Sequence, residues 1–103
     1  MRGEKAMTIN KEANGNEMVI SLEGRLDTTT APQLDEEVKK LDGVEKLVFD
    51  LKQLEYISSA GLRVLLSAQK IMNKKGGMVI KNVSDVINEI FEVTGFVDIL
   101  TIE

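Results

Sequence analysis

The sequence predicts an α/β fold, in which helices pack against a mixed, mostly parallel sheet of four to five strands. Short apolar segments alternate with amphipathic segments, a pattern typical of parallel strands joined by helices. Near the N-terminus, the turn signal Asn14-Gly15-Asn16 separates two strand-like segments and indicates a hairpin. The chain has 103 residues, enough for one core and too few for two, so residues 1–103 are expected to form a single domain.

The composition excludes several classes of function. The net charge is -4, with acidic and basic residues interspersed, so no nucleic-acid partner is expected. Without cysteine or histidine, the chain lacks thiolate chemistry and the commonest general base and metal ligand, so neither a metal nor a cofactor is predicted. Apolar runs stay well short of the roughly 20 residues of a membrane span. A cytoplasmic protein with no membrane partner is therefore expected.

The first third of the chain predicts a hairpin followed by a helix. Strands are expected at Ala6–Lys11 and Met18–Leu22, and Gly24-Arg25-Leu26-Asp27 should lead out of the second. The helix should begin within Thr28–Pro32, because a threonine can cap a helix and proline suits its first turn. Its apolar stripe would consist of Ala31, Leu34, Val38 and Leu41, and Asp42-Gly43 would end it.

The middle of the chain predicts a buried strand followed by a long helix. Leu47-Val48-Phe49 is an unbroken apolar run, typical of a strand that is covered on both faces. After the junction Tyr56–Gly61, residues at three- and four-residue spacings predict a helix with one inner face, namely Leu62, Leu65, Leu66, Gln69 and Met72. Asn73–Gly77 should stop this helix, with lysines in its last turn and glycines beyond it.

The last quarter of the chain predicts a strand, a helix and a final strand. Met78-Val79-Ile80 forms the first of these, and Ser84 is expected to cap the helix. The inner face of that helix would consist of Val86, Ile87, Ile90 and Phe91, with Gly95 at its end. Phe96–Ile102 is expected to be the last strand.

The serine pair Ser58-Ser59 lies where the buried strand meets the long helix. The simplest interpretation is that one serine caps the helix, which contributes about 1 kcal/mol. A nucleophilic serine is excluded, because it needs a neighbouring base and the chain has no histidine. A phosphate-accepting serine fits better, since the free amides and partial positive charge of a helix N-terminus favour a phosphoryl group. Ala60 and Gly61 would let a partner approach closely.

Three further features bear on structure or function. Asp27 and Thr28–Thr30 form a polar cluster that could serve only in capping and turn formation. Leu62 and Val64, close to the serine pair, are candidates for an exposed contact surface. Gly76-Gly77 is interpreted as a helix stop, because the Gly-Lys-Ser/Thr ending of a phosphate-binding loop is missing.

The run FDLKQLEYISSAGLRVLL resembles the signature of bacterial anti-sigma factor antagonists, which belong to the STAS domain family. In that signature, a strand ending in Asp-Leu leads through a short loop to a serine-containing motif that opens a helix. EGRLDTTTAPQL is similar to the family's G-x-L-D segment. The resemblance covers almost the whole chain and implies a STAS-like fold over residues 1–103.

The resemblance also implies a switch without enzymatic activity. Such proteins bind an anti-sigma factor that is itself a serine kinase, and so release its sigma factor. The kinase phosphorylates the serine two residues before the motif glycine, Gly61, which is Ser59 here; Ser58, where several relatives carry aspartate, is the alternative. A PP2C-type serine phosphatase reverses the modification. The implied partner-binding residues are Asp27, Thr28, Ser58, Ser59, Ala60, Gly61 and Leu62.

There are two alternatives to this role. The first is a STAS scaffold subunit of a stress-signalling, transport or lipid-trafficking complex that is not phosphorylated. The second is a small enzyme, which would have to use aspartate, lysine or serine chemistry alone. The binding module is the prediction adopted from the sequence.

Overall fold

A computed structural model describes residues 7–103, which fold into four strands, three α-helices and a short 3₁₀ helix. The strands are β1 (Thr8–Asn14), β2 (Glu17–Leu26), β3 (Lys46–Ile57) and β4 (Met78–Lys81). The α-helices are α1 (Ala31–Val38), α2 (Ser59–Asn73) and α3 (Asp85–Thr94), and the 3₁₀ helix covers Phe96–Asp98. None of the helices in this part of the chain has the length and apolar character that crossing a membrane requires.

The four strands form one sheet in the order β1-β2-β3-β4. β1 and β2 are antiparallel and joined by the turn at Gly15-Asn16, whereas β3 runs parallel to both β2 and β4. α1 and α2 are the crossovers of the two parallel pairs. This confirms the predicted mixed, mostly parallel sheet with an N-terminal hairpin. It also means that β2 and β3 end at the same edge of the sheet.

One face of the sheet forms the hydrophobic core together with the helices. From β3, Phe49 and Leu51 are fully buried, and they belong to one cluster with Leu65 of α2 and Phe91 of α3. Burial of a side chain of this size stabilises the fold by about 1.5–3 kcal/mol. β3 therefore packs against both α2 and α3, and these contacts hold its C-terminal end in a fixed position.

β2 and β3 are longer than their apolar runs predict. The prediction that Gly24–Leu26 leads out of the strand is wrong, because β2 continues through Leu26. β3 likewise extends well past the predicted Leu47–Phe49 and ends at Ile57. Parallel pairing continues as far as Leu26 opposite Ile57, with irregular register on the way. These irregularities break the simple alternation of side chains, so the sequence pattern does not reveal the strand ends.

The first strand lies later in the chain than predicted. Ala6, the first residue of the predicted strand, lies outside the described residues, and β1 runs from Thr8 to Asn14. Most of its side chains are exposed, because β1 is an edge strand with a single neighbour. An exposed edge strand carries little hydrophobic periodicity, so its bounds depend on pairing with β2.

α1 begins as predicted but ends earlier. It starts at Ala31, with Pro32 in its first turn, and ends at Val38, so the predicted end at Asp42-Gly43 is wrong. Leu41 is still buried, but it reaches the core from the loop after the helix. The prediction extended α1 to Leu41 because this residue is apolar and lies at helical spacing. A residue with that spacing can also be buried from a loop.

The C-terminal segment does not form the predicted strand. Phe96–Asp98 is a 3₁₀ helix, and Ile102 makes one isolated parallel bridge to Ile80 of β4. Phe96 is half-buried and packs against the core, and its carbonyl oxygen accepts a hydrogen bond from the amide of Leu100 at 2.9 Å. An apolar run can thus satisfy its burial through a compact turn, which periodicity does not distinguish from a strand.

The inner face of α3 is narrower than predicted. Ser84 caps the helix as expected, its hydroxyl oxygen accepting from the amide of Ile87 at 3.3 Å. Ile87 and Phe91 are fully buried, whereas Val86 is 59% exposed, so its predicted place on the inner face is wrong. α3 packs with only one narrow stripe, because it meets the sheet from one side.

The loop before β4 depends on the absence of a side chain at Gly76. A Cβ there would lie 2.1 Å from the carbonyl oxygen of Glu45, whose own amide donates to the carbonyl of Asn16 at 2.7 Å. Gly76→Ala is therefore expected to lower the free energy of unfolding by about 3 kcal/mol, measured by urea denaturation. Gly43→Ala is the control: its Cβ would meet nothing within 4 Å, and its positive φ predicts a loss of about 1 kcal/mol. Equal losses would contradict this.

Candidate functional site

The candidate site lies at the edge where β2 and β3 end. Leu26 and Ile57 are the last paired residues, and the amide of Ser58 donates to the carbonyl oxygen of Leu26 at 2.9 Å. Asp27 follows Leu26 directly, so the structure brings together the two polar clusters that the sequence separates by thirty residues. We call this region, Asp27–Thr30 together with Ser58–Ala60, the serine junction.

The two serines of the junction have different roles in the fold. Ser58 is the N-cap of α2: its backbone is extended, and its hydroxyl oxygen accepts from the amide of Gly61 at 3.4 Å. Ser59 is the first helical residue and is exposed. The capping interpretation therefore holds for Ser58, whereas the Ser59 hydroxyl is accessible at the positive end of a fifteen-residue helix.

Gly61 and Leu62 are buried residues of α2 that follow the serine junction directly. A Cβ at Gly61 would lie 2.6 Å from Cγ of the fully buried Leu26, so α2 approaches β2 as closely as it does because residue 61 has no side chain. Leu62 is 5% exposed and Val64 is 8% exposed, so the prediction that they form an exposed contact surface is wrong. Both belong to the core cluster, and Val64 also lines the space between α1 and α2.

Asp27 organises the loop between β2 and α1. Its Oδ1 accepts from the amide of Thr29 at 3.0 Å, the hydroxyl of Thr29 at 2.8 Å and the amide of Thr30 at 3.2 Å. Thr30 occupies the N-cap position of α1 but makes no side-chain cap; its hydroxyl donates to the carbonyl of Arg25 at 2.7 Å. The prediction that a threonine caps α1 is therefore wrong; Asp27 instead accepts from the amides of the turn that precedes the helix.

These contacts lower the pKa of the Asp27 carboxyl below its ordinary value of 3.8. The largest cause is the hydrogen bond from the Thr29 hydroxyl; partial desolvation opposes it, and the amides of Thr30 and Thr29 add to it. Asp27 therefore carries a full negative charge beside the serine pair at neutral pH.

Arg25 and Tyr56 extend the junction onto the sheet. They are paired across β2 and β3, and the guanidinium lies 4.4 Å from the centroid of the tyrosine ring. Arg25 Nε also lies 3.6 Å from Asp27 Oδ2. Sequence reasoning missed this pair, because both residues were assigned to loops and only the extended strand register places them side by side.

A groove lies between α1 and α2, next to the junction. It has a volume of about 340 Å³ and is lined by Thr28, Ala31, Pro32, Asp35, Ala60, Arg63 and Val64. Of these, the sequence singled out Thr28 and Ala60 as binding residues, and it missed Asp35 and Arg63. The signal was present in the helical periodicity, since Asp35 and Arg63 each lie three or four residues beyond another groove residue of their helix. We call this feature the α1–α2 groove.

The charge of Asp27 should make stability depend on pH in a defined direction. Because its pKa is lower in the folded protein than in the unfolded chain, the stabilisation is present above pH 3.8 and is lost as pH falls through the lowered pKa. Asp27→Asn should therefore be less stable than wild type at neutral pH, and the difference should disappear in acid, as measured by urea unfolding at a series of pH values.

Thr29→Val provides the matched test of the cause. It removes the hydroxyl that contributes most to the lowered pKa while keeping the size of the side chain. In the Thr29→Val background, the stability lost on Asp27→Asn should be smaller. A difference between Asp27→Asn and wild type that stays constant from neutral to acid pH would contradict the assignment.

Comparison with known proteins shows relatives of this chain in sequence and in fold. The profile of the STAS domain family matches residues 8–103. The anti-sigma-B factor antagonist of Bacillus subtilis is 30% identical over 99 residues, covering 93% of this chain and 90% of that protein. That protein's name describes a regulatory protein and not an enzyme, as the sequence predicted.

Solved structures share the fold. An anti-sigma factor antagonist from Mycobacterium paratuberculosis superimposes with a TM-score of 0.86 at 24% identity, covering 94% of this chain and 85% of the other. The Bacillus cell fate determinant SpoIIAA in its phosphorylated form gives a TM-score of 0.73 at 18% identity, covering 93% and 91% of the two chains. With the profile match and the 30% identical relative, these findings show that the chain belongs to the STAS domain family.

Proposed function

We propose that the protein is an anti-sigma factor antagonist controlled by phosphorylation of Ser59. Unphosphorylated, it would bind an anti-sigma factor that is also a serine kinase, and so free a sigma factor in the cytoplasm. The observation that carries the proposal is the exposed Ser59 at the start of α2, beside the α1–α2 groove. The name of the Bacillus subtilis relative supports the same role. Residues 1–103 would act as one binding domain.

Ser59 is the better acceptor of the two serines. Ser58 uses its hydroxyl oxygen to accept the amide of Gly61, and phosphorylation there would disturb the cap of α2. Ser59 is exposed, and the first-turn amides of Ser59 and Ala60 have no carbonyl partner within the helix. A phosphoryl group on Ser59 would therefore be favoured by the helix N-terminus and would leave the fold intact.

The modification would act through charge at the binding surface. A kinase would transfer the terminal phosphoryl group of ATP to Ser59 Oγ, with loss of the hydroxyl proton and release of ADP, adding a charge of about -1.5 to -2. This charge would join the ionised carboxylate of Asp27. Repulsion and desolvation at the interface of about 3 kcal/mol would weaken binding somewhat more than hundredfold. A PP2C-type phosphatase would restore the binding form by hydrolysing the phosphate ester.

Intact-mass spectrometry tests the acceptor residue. The protein is incubated with ATP and the anti-sigma kinase of its own genome, alongside Ser59→Ala and Ser58→Ala. Wild type and Ser58→Ala should each gain one phosphoryl group, and Ser59→Ala none. Addition to Ser59→Ala but not to Ser58→Ala would move the acceptor to Ser58. No addition to any of them, with a kinase that is active on another substrate, would favour the unphosphorylated scaffold role.

Ser59→Asp tests the charge mechanism directly. It should bind the anti-sigma factor at least about tenfold more weakly than wild type, measured by titration calorimetry, while its urea unfolding stays close to wild type. Asn73→Asp is the matched control, because it adds the same charge at the far, exposed end of α2 and keeps the acceptor for Gln69 Nε2. Wild-type affinity in Ser59→Asp would show the mechanism to be wrong.

The α1–α2 groove should contribute to the same interface. Arg63 lines it together with Asp35, and Arg63→Glu would leave two carboxylates there in place of opposite charges. The expected result is a loss of at least about tenfold in affinity for the anti-sigma factor with unchanged stability. Lys70→Glu makes a similar charge reversal at an exposed position further along α2, outside the groove lining, and should change the affinity less than about threefold. Equal losses would exclude a specific role for the groove.

A further inference from the structure

The outer face of α3 carries an apolar line whose two end residues are exposed. Val86 is 59% exposed and Val93 is 80% exposed, and Ile90 between them is half-buried. With Glu89 and Thr94 they line a shallow groove of about 320 Å³. We call these five residues the α3 outer surface.

The exposed ends of this line, Val86 and Val93, are not needed to hold α3 on the protein, whereas Ile90 packs partly against the core. The helix is anchored by Ile87 and Phe91, which are fully buried in the core. Val86, Ile90 and Val93 follow the i, i+4, i+7 spacing with which one helix presents anchors to another. Single exposed apolar side chains are ordinary, but three in line along a groove mark a contact surface.

The charges around the line indicate the chemistry of its occupant. α3 contains Asp85, Glu89 and Glu92 and no lysine or arginine, so its ten residues carry three negative charges and no positive one. A second copy of the chain would place carboxylates against carboxylates, and an anionic membrane surface would be repelled. A segment that combines apolar anchors with lysine or arginine matches both properties of the surface.

We propose that the α3 outer surface binds an amphipathic, basic helix of a protein partner. It is a different surface from the serine junction: α3 packs against β3 and the 3₁₀ helix, whereas the α1–α2 groove lies between the other two helices. The two surfaces share no residue. Binding at α3 is therefore independent of the state of Ser59 and does not rest on the proposed function.

The test uses the full chain, labelled with ¹⁵N, and a synthetic helical peptide with leucines at i, i+3, i+4 and i+7 and lysines on its flanks. Titration followed by amide chemical shifts should perturb residues 86–94 and leave the serine junction unchanged. A peptide with glutamate in place of every lysine is the control and should bind at least about tenfold more weakly.

Variants locate the surface. Val93→Asp should weaken binding of the lysine peptide at least about tenfold, and because Val93 is 80% exposed its urea unfolding should stay close to wild type. Ile99→Asp is the matched control, an exposed apolar residue outside the surface, and should bind as wild type does. Glu89→Lys should narrow the preference for the lysine peptide, because Asp85 and Glu92 remain, and Ser59→Asp should leave the affinity for the lysine peptide unchanged.

Four results would overturn the proposal. Equal affinity for the two peptides would remove the charge argument, and perturbation of the serine junction in place of residues 86–94 would remove the location. Sedimentation as a dimer that Val93→Asp converts to a monomer would identify the occupant as a second copy. Co-flotation with phosphatidylglycerol vesicles, lost in Val93→Asp, would identify it as a membrane.

Discussion

The parallel pairing of β2 with β3 up to their shared end is the constraint on which the rest of the site depends. Leu26 pairs with Ile57, and the next hydrogen bond, from the Ser58 amide to the Leu26 carbonyl, fixes where the chain leaves the sheet. Asp27 and Ser59 are therefore placed by backbone geometry, not by contact with each other. Gly61 completes the arrangement, because only a residue without a side chain lets α2 settle this closely over Leu26.

Some polar groups at this edge of the sheet form hydrogen bonds within the fold, and one is exposed to solvent. Ser58 accepts a hydrogen bond from an amide of α2, and Asp27 accepts from the amides of the loop between β2 and α1. Both side chains therefore stabilise the fold. Ser59 is left accessible, at a helix end that tolerates added negative charge. The proposed modification of Ser59 would consequently change the charge of the proposed binding surface at little cost in stability, which is what a reversible switch requires.

The sequence predicts most of the fold and part of the site, and the limits have physical causes. Apolar runs locate the central strand and all three helices, because burial dominates their energies. The same signal fails where burial is reached without regular structure, as for Leu41 and Phe96, or where pairing continues without alternation, as near Leu26. The serine pair is located by the helix that begins there, and Ser59 is singled out within the pair only by the resemblance to the family signature. Arg25 is missed because its neighbour Tyr56 comes from another strand, and Arg63 is missed although its helical spacing from Ala60 was readable in the sequence.

The two surfaces of the protein set different demands on a partner. The α1–α2 groove is lined by Asp35 and Arg63, so a segment bound there would face both a negative and a positive charge. The α3 outer surface has carboxylates only, beside an apolar line. A basic helix suits the α3 outer surface better than the groove, because in the groove it would meet the like charge of Arg63 as well as the opposite charge of Asp35. The phosphoserine charge would add to the groove side alone. Under the two proposals, regulation at Ser59 would release one partner segment while another stays bound at α3.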